Sequence, residues 1–274
     1  MAAVLGTNIA SLWASKNLQG AQSSMATSVE RLSSGLRINR ARDDAAGLAI
    51  SSAMTSQINS ANQGIKNLND GISLVQTAEG ALNTVTQMTQ RILTLATQGA
   101  NGTTSEVGAK AIESEMSTLL EAIDLIKTRT TFGGSADSIF SGSSIDIVAT
   151  STADDKVTIS DTALEDFDAS GVSDEVKDDG STDFGTVITE ATSFLEAVNA
   201  QRAALGAAQN QLEFTVDNVM EFSANTSAAR SRVVDTDYAT ETASLTKGQI
   251  LQQASTAMLA QANQMPNVIL TLLK

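Results

Sequence analysis

Adjacent carboxylates are the residues in this chain best placed to do chemistry. Asp43-Asp44, Asp154-Asp155 and Asp178-Asp179 each set two acids side by side. Such a pair can divide general-acid from general-base work when a fold pushes the two pKa values apart. The other reactive grouping is Arg37, Arg40 and Arg42, immediately before the first pair. Arg230, Arg232, Asp235 and Asp237 mirror it late in the chain. The sequence contains no His and no Cys. Thiol nucleophiles, imidazole acid–base chemistry, disulfides and the commonest zinc ligands are therefore excluded. The acidic stretches lack the ligand spacing of a calcium loop. The pair at 43–44 reads better as a helix cap that meets Arg37, Arg40 or Arg42, and the later pairs read as solvated surface. No enzyme, no cofactor and no metal site is predicted.

The elements around those charges carry more information. Ser33-Ser34-Gly35 is a poor helix interior, because Ser competes for backbone hydrogen bonds and Gly costs about 1 kcal/mol relative to Ala. Either Asp43 or Asp44 can cap a new helix at its positive end. One helix should end near Ser33 and another begin near Asp44. In the second, Met54, Ile58, Ala61, Ile65, Leu68, Ile72 and Val75 alternate steps of four and three. Ala78, Leu82, Val85, Met88, Ile92 and Leu95 continue that heptad seam. At 1.5 Å per residue such a helix runs for about 80 Å and needs long partners. Gly99 to Gly102 breaks it, and Thr103-x-x-Glu106 has the form of a capping box. Ile112, Met116, Leu119, Ile123 and Ile126 then mark a return helix. Ser144–Thr150 and Lys156–Ser160 read as a β-hairpin. Helical spacing resumes at Val187, continues to about Ala229, and returns from Tyr238 to Leu273.

Charge divides the chain into three. The net charge is −14, and residues 137–190 hold fourteen acids and two bases, which is −12 of it. Basic-face recognition of nucleic acid is not predicted for such a chain. The two ends are nearly uncharged: no charge precedes Lys16, and none lies between Lys247 and Lys274. Gln, Asn, Ser and Thr interrupt every apolar run there, so no membrane insertion is expected. The first residues lack the basic and apolar regions of a cleaved signal peptide, so export would need another route.

Long motifs at both ends carry a resemblance. They are Asn8, ERLSSGLRINRARDDAAGLAI (30–50), NDGISLVQTAEGAL (69–82) and Gln90-Arg91, then SAARSRVVDTDYATE (227–241) and KGQILQQASTAMLAQANQMPNVILTLLK (247–274). Over about 1–132 and 186–274 the chain resembles the bacterial flagellins. The resemblance implies a mainly α fold: a long antiparallel coiled-coil and helix-bundle rod built from both arms, with a small hairpin-containing middle. Residues 1–43 with 236–274 would form an inner filament-core domain, and 44–132 with 186–235 a rod. Residues 133–185 would be a variable, acidic, surface-exposed insertion. The implied function is that of a subunit that self-assembles into the extracellular helical filament used for swimming. Implied partners are further copies of itself, the flagellar type III export apparatus and its chaperone, and the filament cap and hook-junction proteins. A mammalian Toll-like receptor would read Gln90, Arg91, Leu95 and Glu115. Leu93 and Thr94 stand where the family often has an Arg-Glu pair, so weakened recognition is expected.

The uncharged amphipathic ends give an independent reason to expect assembly. A single copy cannot bury both faces of such helices, whereas neighbouring copies can, at about 25 cal/mol per Å² of apolar area. A heterologous interface that does not close builds a helical filament. Leu5, Ile9, Leu12, Met25, Leu32, Ile250, Met258, Met265 and Leu272 are the residues predicted to pack in its core. Two other readings compete: a hook–filament junction protein with similar ends, and a secreted adhesin or binding module that acts without polymerising.

Overall fold

The computed structural model describes residues 7–133, 138–140, 144–150, 155–159 and 182–272. Five helices and one hairpin occur among them: α1 (Ile9–Ser34), α2 (Ala45–Gly99), α3 (Glu106–Arg129), β1 (Ile145–Val148), β2 (Lys156–Ile159), α4 (Phe184–Val234) and α5 (Tyr238–Leu272). The mainly helical reading holds. Most of the predicted acidic insertion, including Asp154, Asp178 and Asp179, lies outside the described residues.

The ends of the helices follow from their sequence. Asn8 caps α1 by accepting from the Ser11 N–H at 3.1 Å. Gly35 ends it with φ +72°, a left-handed conformation that Gly adopts without the Cβ clash, and its N–H returns to the Arg31 carbonyl. Asp44 opens α2 by accepting from the Gly47 N–H at 2.9 Å. The expected capping box at Thr103 does not form. Ser105 is the N-cap of α3 and accepts from the Gly108 N–H. The Thr103 N–H is instead turned to the Asn101 side chain, and the Thr104 hydroxyl donates to the Gln98 carbonyl.

The chain divides into two compact units. One is Met1–Ser56 with Asn225–Lys274, and the other is Gln57–Ala224. The division falls within α2 and α4 rather than at the charged breaks used for the predicted bounds.

In the second unit the heptad stripe of α2 is the core. Ala61, Leu68, Val75, Ala78, Leu82, Val85, Ile92 and Leu95 are all buried. They form one cluster with Ile112, Met116 and Ile123 of α3 and with Val187, Ala191, Val198, Leu205 and Leu212 of α4. Each fully buried Val, Leu, Ile or Met side chain among them contributes about 1.5–3 kcal/mol. Polar intrusions are few. The Thr86 and Thr89 hydroxyls are absorbed by the carbonyls of Leu82 and Val85. Glu113 and Gln201 are the exceptions, both buried with no hydrogen bond to either side-chain polar atom.

The hairpin joins this core through the backbone of α2. Its strands pair antiparallel with Ile145 opposite Ile159 and Val148 opposite Lys156. Ile147, Ala149, Val157 and Ile159 are buried, while Asp146 and Lys156 form an exposed ion pair on the other face. Gly64 and Gly71, two helical turns apart, leave the space. A Cβ on Gly64 would fall 1.6 Å from the Ala149 carbonyl oxygen, and one on Gly71 would fall 2.2 Å from Ile147 Cδ1. Asn67, between them, donates to the Val148 carbonyl at 3.2 Å.

Candidate subunit interface

In the first unit α1 and α5 run antiparallel, closed at one end by Asn8 donating to the Ala262 carbonyl at 2.7 Å and at the other by Arg31–Glu241 at 3.6 Å. The seam of α1 is made of small residues two turns apart: Ala14, Ala21 and Ser28 are its buried positions. Gly248 is their counterpart on α5, where an added Cβ would lie 3.4 Å from the Met25 Cβ. Small side chains let the two backbones approach closely. Several large apolar side chains of both helices are left outside the seam and exposed.

Those outward positions form the candidate interface. Ile9, Leu12 and Trp13 of α1 are 59%, 61% and 60% exposed, and Ile250 and Met258 of α5 are 61% and 65% exposed. Met25 and Leu32 are half-buried at the helix pair. Leu5 lies outside the described residues, as do the side chains of Met265 and Leu272. Ala10, Trp13 and Ala14 face Ala254, Met258 and Ala262 across a groove of about 360 Å³. Monomeric proteins seldom expose large apolar side chains in such a group unless it is a contact surface. Sequence reasoning missed Trp13 and Leu251, which fall beside the apolar positions it counted; Val29 lies on the counted stripe and is 50% exposed. The signal available for Trp13 was that it is the single Trp of the chain.

The charged breaks close this unit. Leu36 and Asp235 form an antiparallel bridge, with the Arg37 N–H donating to the Val234 carbonyl at 2.6 Å and the Thr236 N–H to the Gly35 carbonyl at 2.9 Å. Arg37 does not meet the Asp pair, because its guanidinium donates to the Val233 carbonyl. Arg40 pairs with Glu30 at 2.8 Å, which leaves Arg42 to contact Asp43 at 3.7 Å. Asp43 accepts from the Asn39 and Arg40 N–H groups and so shapes the loop itself. The Arg230 Nε is buried without a partner, and Arg232 is exposed in the last turn of α4.

Asp237 caps α5. The Thr240 hydroxyl donates to it at 2.8 Å and the Ala239 N–H at 2.9 Å. These bonds, the Thr240 hydroxyl first, favour the charged form and hold the carboxyl below its usual 3.8. A depressed folded pKa stabilises the fold above the unfolded value. That contribution is lost as pH falls through the lower folded value. We expect Asp237→Asn to lower the neutral-pH midpoint and to flatten the acid limb, variant and parent converging as pH falls below about 4. Circular dichroism melts across that range read it. An unchanged acid limb would refute the cap's role.

A second charged contact stands on the second unit. Arg91 of α2 donates through Nε and Nη2 to Glu115 of α3, at 3.0 and 2.7 Å, and both side chains are about half exposed. Gln90 is exposed beside them. Leu95 does not share this surface. It is 2% exposed within the core cluster, because its heptad position points it at the partner helices. The predicted receptor set is therefore three surface residues and one core residue. Among the described residues no group of three or more carboxylates comes together that could hold a metal ion. None of the helices described is long and apolar enough to cross a membrane.

Comparison with known proteins matches both arms. Residues 5–144 fit the family model described as the bacterial flagellin N-terminal helical region, and 188–273 fit the bacterial flagellin C-terminal helical region. The chain is 41% identical over 265 residues to a flagellin of Halalkalibacterium halodurans, covering 94% of this chain and 93% of the relative. It is 38% identical over 299 residues to a flagellin of Bacillus subtilis, covering 97% and 98%. It is 34% identical over 375 aligned positions to flagellin B of Vibrio cholerae, covering all of both chains. The stretch between the two family models contains both strands of the hairpin and most of the acidic segment.

Proposed function

This chain belongs to the bacterial flagellin family, whose members are the structural subunits of the flagellar filament, and we propose that its two units divide that work. The unit built from α1 and α5 supplies the inner filament contacts, and the α2–α3–α4 unit forms the rod. The observation that carries this is the outward set of Ile9, Leu12, Trp13, Ile250 and Met258 on two helices free of charge over their outer ends. On this reading the subunit acts outside the cell. Its partners are further copies of itself, the type III export apparatus and its chaperone, the cap and the hook-junction proteins. Its role is structural rather than catalytic. Electron microscopy of purified subunits after seeding tests the reading: helical filaments are expected, and a subunit that only binds a surface as a monomer would favour the adhesin alternative.

The rod surface around Arg91 is proposed as the part read by the mammalian Toll-like receptor for flagellin. An exposed Arg already oriented by Glu115 can give charge-assisted hydrogen bonds, a common feature of hot spots. Gln90 extends the same face, whereas Leu95 supports it from beneath. Leu93 and Thr94 in place of the family's charged pair weaken the site. In a reporter assay Arg91→Ala monomer should lose about tenfold or more in potency, and intact filaments should signal less than monomer because rods cover one another. Equal potency of Arg91→Ala and parent would remove the assignment.

A further inference from the structure

Asn101-Gly102 is the one Asn-Gly step in the sequence. It lies in the turn between α2 and α3, and both residues are exposed. An added Cβ on Gly102 would meet nothing within 4 Å. Its N–H has no hydrogen-bond partner among the described residues. The Asn101 carboxamide is folded forward along the chain, with Oδ1 accepting from the Thr103 N–H at 3.4 Å. Every helical asparagine differs on one count at least, since the following N–H is engaged in the helix ladder.

We propose that Asn101 is a site of spontaneous deamidation through a cyclic imide with Gly102. The Gly102 backbone nitrogen, giving up its proton to hydroxide, attacks the Asn101 Cγ. An N–Cγ bond forms, the Cγ–Nδ2 bond breaks, and the nitrogen leaves as ammonia. Water then opens the ring at either carbonyl, giving aspartate or isoaspartate. One ammonia is lost and one water gained, with no oxidant or reductant. Two features of the turn favour the attack. Gly102 has no side chain to crowd the nitrogen. The Thr103 N–H already touches the oxygen on which negative charge develops in the tetrahedral intermediate, the arrangement that stabilises an oxyanion.

The product changes the turn. A new negative charge appears past the carbonyl end of α2, where the helix dipole disfavours it. The isoaspartate form also inserts a side-chain carbon into the backbone. That displaces the Asn101 carbonyl from the Thr104 N–H, which it now accepts at 2.9 Å.

Full-length protein is incubated at mildly alkaline pH and mapped by peptide mass spectrometry, with isoaspartyl methyltransferase labelling to separate the two products. Asn83 and Asn210, exposed within helices, are the internal comparators. Gly102→Ala is the second arm; Gly102 has no positive φ and open space around it, so Ala fits the fold. Asn101 should convert many-fold faster than either comparator, give both aspartate and isoaspartate, and slow several-fold in Gly102→Ala. Conversion no faster than the comparators, a product that is all aspartate, or a rate unchanged by Gly102→Ala would each overturn the proposal.

Discussion

A subunit carrying Ile250→Glu together with Met258→Glu should stay helical, melt near the parent temperature and form no filaments. Both side chains are more than half exposed in the single subunit. Their replacement removes little packing from the fold, and surface substitutions of that kind usually change stability by no more than about 0.5 kcal/mol. Assembly is a different matter. Each contact loses an apolar side chain worth about 1.5–3 kcal/mol and acquires a carboxylate that must be desolvated without a partner, at several kcal/mol more. The penalty recurs at every subunit added, so polymerisation should fail outright rather than slow. Light scattering and electron microscopy after seeding read the outcome, with circular dichroism as the fold control. Normal filaments from the double variant would remove α5 from the interface. Restored assembly on mixing with high salt would mean that charge repulsion, not lost apolar contact, was responsible.

Gly64→Ala should release the hairpin from the rod. The added methyl would sit 1.6 Å from the Ala149 carbonyl oxygen, which is backbone and cannot rotate aside. Either α2 bends or β1 lifts. Over-packing in a core costs about 1–3 kcal/mol where neighbours can adjust, and here the neighbour is a strand held by a short hairpin. A two-stranded hairpin is barely stable alone. Lifting it exposes Ile147, Val157 and Ile159, each worth about 1.5–3 kcal/mol of burial. Alanine favours the helix by about 1 kcal/mol over glycine, so α2 itself should survive. Hydrogen exchange should therefore rise sharply in 145–159 and remain low along the α2–α4 seam. Protection of the hairpin equal to the parent's would show that β1 shifts without leaving. Gly80→Ala, where an added Cβ meets nothing within 4 Å, is the matched control.

Much of the architecture was legible in the residues because it depends on period and local chemistry. The steps of four and three from Met54 to Leu95 specify a helix with one apolar stripe, whatever covers it. Gly35 and Asp44 stop and start helices through a single residue's backbone freedom and one side-chain hydrogen bond. The same stripe contained the answer for Leu95, whose seam position outweighs a surface role. Charge bookkeeping along the chain also isolated the acidic middle and the neutral ends.

Tertiary structure decided what depends on which neighbour arrives. Thr103 has the spacing of a cap, yet the turn gives that place to Ser105. Arg37 and Arg40 stand beside two carboxylates in sequence and bond instead to Val233 and Glu30. Asp43 is occupied by loop N–H groups, and a guanidinium follows the nearest unsatisfied acceptor in space. Gly64 and Gly71 look like two weak points in a long helix until the hairpin backbone is laid against them. Glu113 sits one position after Ile112 of the stripe, and only the fold shows it buried without a hydrogen bond. The exposed face of α1 and α5 belongs to the same class. Ala14, Ala21, Ser28 and Gly248 let the backbones approach, and Trp13 and Met258 are left outside the seam and exposed. A period in the sequence marks a helix face as apolar; the packing of the two helices decides which apolar side chains remain for another copy.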